Sequence, residues 1–104
     1  MSLLAIVTFD LHGAAPSEYP RVKRKLANFG LKKRLSRKGA ESQTVLPANT
    51  FARKLNRKNK KEASAVRDDL RDRTCGAIAS LGLRATVFVA VGGPWAWGTR
   101  RVSG

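Results

Sequence analysis

The chain has 104 residues, enough to bury one modest core and little beyond it. One cysteine and one histidine exclude a disulfide framework and a structural zinc site as the basis of the fold. Lysine and arginine outnumber the acids 21 to 7, for a net charge of +14, and no apolar run approaches the roughly 18 residues of a bilayer crossing.

Residues 3–10, Leu-Leu-Ala-Ile-Val-Thr-Phe-Asp, open the chain. The alternating sets Leu3/Ala5/Val7/Phe9 and Leu4/Ile6/Thr8/Asp10 are both largely apolar, as in a strand covered on its two faces at the centre of a sheet. No basic region precedes this run and no small-residue cleavage site follows it, so we expect a cytoplasmic protein. A loop through Gly13 and Pro16 leads to Ser17, a candidate helix cap. Beyond it Tyr19, Val22, Leu26 and Phe29 share one helical face that Gly30 terminates.

The spacing then shortens. Residues 31–36 alternate, 37–42 read as a turn, and Gln43 starts a return strand, which together predict a long cationic β-hairpin. Pro47 and Asn49 predict a kink before a further strand over 50–55, and 56–61 is a self-repelling charge run. A second helix is expected over 62–81. Its buried stripe is Ala63, Val66, Leu70, Ala77, Ile78 and Leu81, its outer face is self-compensating from Arg67 to Arg73, and Gly82 ends it. The last strand, 84–91, is again apolar on both sides, and 92–104 forms an aromatic-tipped tail carrying Trp95 and Trp97.

The order strand, helix, strand, strand, helix, strand predicts an α+β fold: a ferredoxin-like βαββαβ sandwich over 1–104. In it a four-stranded antiparallel sheet carries two helices on one face and an extended β-hairpin. The other sheet face then needs a cover, for which a second copy of the chain is the expected candidate, making a homodimer.

Charge is not spread evenly. Residues 21–61 hold 15 of the 21 Lys and Arg and one acid, Glu41, so the segment alone carries +14 and the remainder is neutral. A localised field of this kind attracts polyanions, and we expect nucleic acid, either duplex DNA or structured RNA, as the partner, with no membrane. The contacting cations are expected on three stretches: Arg21, Arg24 and Lys25; then Lys32, Lys33, Arg34, Arg37 and Lys38; then Arg53, Lys54, Arg57, Lys58, Lys60 and Lys61. Asp10, closing the first strand, and His12 beside it are the candidate catalytic residues. Asp10 is also the candidate ligand for magnesium, a hard cation held by one or two protein carboxylates and water. Without a second carboxylate, Asp10 reads as a local loop cap and no cofactor is required. Cys75 reads as a small, partly buried helical residue.

Four features resemble one family: the first strand ending Thr8-Phe9-Asp10-Leu11, the basic helix ending Asn28-Phe29-Gly30-Leu31, the segment Phe51-Ala-Arg-Lys-Leu55, and the closing Ala85-Thr-Val-Phe-Val-Ala-Val91. The family is the small CRISPR-associated endoribonuclease and spacer-integration subunit, with the virulence-associated protein D ribonucleases. The resemblance implies a ferredoxin-like homodimer that binds nucleic acid, with Asp10 in the place of the strand-closing aspartate that in some members holds a divalent metal. Three functions follow as expectations. The first is a dimeric, non-catalytic nucleic-acid-binding protein; the second, a metal-dependent endoribonuclease or nuclease of toxin or defence type using Asp10; the third, an adaptor docking on an acidic protein.

Overall fold

A computed structural model describes residues 2–36, 43–56, 62–93, 98 and 102. The elements run β1 (Ser2–Leu11), α1 (Glu18–Ala27), β2 (Arg34–Ser36), β3 (Gln43–Val45), β4 (Thr50–Asn56), α2 (Ala63–Ser80) and β5 (Ala85–Gly92). Five of them build the body. The strands β4, β1 and β5 form a three-stranded antiparallel sheet with β1 in the middle, and α1 and α2 cover one of its faces. The fold is therefore α+β, with both helices on one side.

β1 occupies the centre because its covered face is apolar without interruption. Leu3, Ala5, Val7, Phe9 and Leu11 are all buried, against Val22 and Leu26 of α1 and Val66, Leu70 and Ile78 of α2. Phe9 stacks between Tyr19 and Phe51, with ring centroids 6.1 and 5.7 Å away, which ties α1 and β4 to the strand they flank. Tyr19 and Phe29 are half-buried, at either end of the stripe whose centre is Val22 and Leu26.

Both helices close with the same device. Gly30 donates to the Ala27 carbonyl (3.1 Å) and Leu31 to that of Leu26 (3.2 Å), with Gly30 at φ +84°. Gly82 and Leu83 repeat the pattern on Ala79 and Ile78, with φ +74°. This pair of bonds satisfies the last carbonyls of a helix and requires a left-handed residue, which only glycine supplies cheaply.

The sheet differs from the four strands expected. Where the fourth should pair with β4, the described residues make only the bridge Lys32 to Ala52, with N–H···O bonds of 3.0 and 2.8 Å, before the chain turns into β2. Residues 34–36 and 43–45 pair instead with each other as a separate two-stranded ribbon, β2 with β3. The cause is apolar cover. Leu35, with Leu46 beside it, packs against Leu4 and Ala52 on the sheet face opposite the helices, so the chain's own ribbon covers part of the face expected to lie open.

Two residues depart from the expected α2 stripe. Thr74 is fully buried at the spacing Leu70, Thr74, Ile78, and its hydroxyl has no hydrogen-bond partner among the described residues. Cys75, expected partly buried, is exposed, because its neighbour Thr74 takes the inward position. The expected Ser17 cap makes no side-chain bond to the first turn of α1. The turn 37–42, the charge run 57–61 and the tail tryptophans Trp95 and Trp97 lie outside the described residues. Among the described residues, no helix is long and apolar enough to cross a membrane.

Candidate nucleic-acid interface

The Lys32 bridge brings two basic segments side by side. One is the exit from α1, the other β4, and between them lies an open cleft of about 330 Å³ whose lining includes Lys32, Arg34, Arg53 and Lys54. Among the described residues, no carboxylate lines it. Each cation has a structural reason for its place. Lys32 is set by the two backbone bonds to Ala52, and Arg34 follows two residues later at the start of the ribbon. Lys54 stands opposite Leu4 in the β1–β4 ladder.

Arg53 is the most constrained of the four. Its guanidinium donates from Nη1 to the Phe29 carbonyl at 3.0 Å, at the electronegative end of α1, and its stem packs against Gly30. A Cβ at Gly30 would come within 3.0 Å of Arg53 Nε. The glycine thus serves two ends, closing the helix and leaving room for an arginine, whose five donors exceed what one carbonyl uses. Such an arginine is preorganised to present its remaining N–H groups to an anion.

A second cleft, of about 300 Å³, has an aromatic lining of Phe9, Tyr19 and Phe51, with Lys23 and Lys33 among the residues around it. Lys33 reaches the Leu46 carbonyl at 3.5 Å. Lys23 is not one of the cations expected to bind, although it lies four residues after Tyr19 and so on the same side of α1. Of the other expected cations, Arg21 is held by Glu18 at 2.7 Å, Arg24 is exposed and Lys25 is half-buried. Arg37, Lys38, Arg57, Lys58, Lys60 and Lys61 lie outside the described residues.

Asp10 and His12 sit at the far end of β1, away from the basic cleft. Asp10 is exposed opposite Thr86 of β5, and its carboxylate has no hydrogen bond or ion pair among the described residues, so it does not cap the loop that follows. His12 donates its backbone N–H to the Arg84 carbonyl (2.8 Å), and its Nε2 is 2.9 Å from the Thr86 hydroxyl. Thr86 orients the ring, and no bond joins the ring to Asp10. Among the described residues there is no group of three His, Cys, Asp or Glu side chains able to hold a metal ion. A magnesium ion at this end of β1 would take one carboxylate, from Asp10, and water at its other positions.

The sheet face opposite the helices carries a feature that a search for cations alone passes over. Phe88 is 61% exposed there, in register with Thr8 and flanked along β5 by Thr86 and Ala90. The alternation of β5 puts it on this face, which the chain by itself is expected to leave open for a second copy. The sequence matches no protein-family model and no curated protein.

Proposed function

We propose that this protein binds nucleic acid through its phosphate backbone and does not cut it, serving as a basic subunit that holds the strand for another component. In this reading the architecture is a ferredoxin-like sandwich in which the Lys32 bridge stands for the fourth strand, and the likeness to the small CRISPR-associated subunit is one of architecture. The observation that carries the reading is the edge cleft lined by Lys32, Arg34, Arg53 and Lys54, its described lining holding no carboxylate. Charges of one sign gathered in a concave surface raise the local potential toward phosphate. A bound strand is then held by release of its counterions.

The test is the salt dependence of binding. With a fluorescein-labelled oligonucleotide, the logarithm of affinity should fall linearly with the logarithm of salt. The triple variant Lys32→Ala, Arg34→Ala and Lys54→Ala should flatten that line by about 0.7 to 0.9 for each phosphate no longer neutralised. An unchanged slope would remove the cleft from the interface.

The protein works as a homodimer joined through β5. Among the described residues this strand pairs on one side only, with β1, and its sequence from Ala85 to Gly92 contains no charge or proline to blunt the other edge. Joining at β5 keeps the two basic clefts at opposite ends of the pair, which limits repulsion between chains of +14. Sedimentation equilibrium should give twice the chain mass, and a mass of 11.4 kDa at high protein concentration would overturn the dimer.

One observation favours a second reading, a magnesium-dependent nuclease. The exposed Asp10 carboxylate has no partner among the described residues and is open to meet a second carboxylate from another copy. Loss of magnesium- or manganese-dependent cleavage in Asp10→Ala, with binding retained, would establish it.

A further inference from the structure

We propose that the sheet face around Phe88 is a stacking platform for unpaired bases, so that the preferred ligand is a single strand or the unpaired segment of a longer nucleic acid. The inference rests on the nucleic-acid reading above and narrows it.

The face is laid out in rows by the ladder registers. Phe88, Thr8 and Thr50 lie across it in one row; Ala90, Ile6, Ala52 and Lys32 make the next; Gly92, Leu4 and Lys54 the one after. Leu35 of the ribbon sits over Leu4 and Ala52 with Ile6 packed beside them, and the exposed uncharged residues of this face lie along β5. On that side Phe88 is 61% exposed, Ala90 and Thr86 are exposed, and Ile6 and Thr8 are half-buried. An aromatic ring therefore stands on a largely uncharged floor, while Lys32 and Lys54 stand at the β4 edge of the same face. Adjacent strands are about 4.8 Å apart and successive rows about 7 Å, so Lys32 lies three strand spacings and one row from the ring and Lys54 two spacings and two rows, a span of roughly 15 Å that a few nucleotides cover in passing around Leu35.

The chemistry selects the occupant. A ligand that satisfies both features must offer flat π faces to Phe88 and negative charge to the cations, and single-stranded nucleic acid does both along one chain. A blunt duplex presents phosphates but keeps its bases inside the stack, so it can use the cations and not the ring. A second copy laid on this face would bring two chains of +14 together with their ribbons in between, whereas a dimer joined at the β5 edge leaves both Phe88 rings open. Asp10 marks the end of the platform, because a lone carboxylate there repels phosphate and directs the backbone toward the lysines.

Fluorescence anisotropy with a single-stranded oligonucleotide and the blunt duplex of the same sequence tests this at fixed salt. Wild type should prefer the single strand. Phe88→Ala should weaken single-strand binding by about 5- to 100-fold, the range of one base stack, and leave duplex binding within about two-fold. Phe88→Trp should restore the preference, and sedimentation should show the same assembly state for all three proteins. Equal affinity for both ligands, or a Phe88→Ala variant that binds the single strand as wild type does, would overturn the platform while leaving the phosphate reading in place. Dissociation of a dimer in Phe88→Ala would overturn it as well, by making the face a subunit contact. Wild type binding neither ligand would overturn the nucleic-acid reading itself.

Discussion

The two helices pack on the same face of the same sheet, end with the same glycine closure, and face opposite electrostatic conditions. On α2, Arg67 and Arg71 lie within 3.4 Å of Asp68, Arg71 also meets Asp72, and Arg73 meets Asp69. These pairs are exposed and add little stability, but they cancel the field of three arginines at its source. On α1, Arg21 pairs with Glu18 in the first turn, and from Lys23 onward the helix runs toward a cleft of cations whose described lining holds no acid. A count of basic residues therefore overstates one half of the molecule and understates the other. What attracts a polyanion is the placement of charge relative to its counter-charges.

The largest effect should show that the two halves share stability even though they divide charge. Leu26 of α1 and Leu70 of α2 are 0% and 1% exposed in one core. Each substitution by alanine should cost about 2–5 kcal/mol of unfolding free energy in a denaturant titration. A loss confined to one helix would mean that the other is held by something besides the common core.

A smaller effect should separate the two helix closures. Gly30→Ala and Gly82→Ala each force a side chain into left-handed backbone, at a cost of about 1–2 kcal/mol. At Gly82 a Cβ meets nothing within 4 Å, whereas at Gly30 it meets the Arg53 side chain. Gly30→Ala should therefore cost more, and should also weaken nucleic-acid binding by displacing Arg53. Equal costs, with binding unchanged, would detach Arg53 from the site.

The smallest effect sharpens the charge comparison directly. Removing three arginines from α2, in Arg67→Ala, Arg71→Ala and Arg73→Ala, should leave the salt slope of binding unchanged, although it removes as many positive charges as the cleft variant. A slope that flattens equally for both would make total charge, rather than placement, the determinant of binding.

The residues by themselves determined a good deal. The doubly apolar run 3–10 marks the central strand, observed over Ser2–Leu11, and the helical stripes place α1 and α2 within a residue or two of where they lie. Glycines at 30 and 82 mark both stops, and the spacing of Arg and Asp on α2 foretells its ion pairs. These features are local: periodicity, capping and neighbouring charges act over a few residues, so a linear reading captures them. The position of the fourth strand was decided elsewhere. Alternation in 31–36 is compatible with a sheet edge or a free ribbon, and the ribbon is the arrangement that seats Leu35 and Leu46 against Leu4 and Ala52. Tertiary contact likewise set Arg53 on the Phe29 carbonyl, turned His12 to Thr86, buried Thr74 instead of Cys75 and left Phe88 exposed. Each of these depends on which segments meet across long sequence separations, and a residue's spacing from its chain neighbours does not encode that.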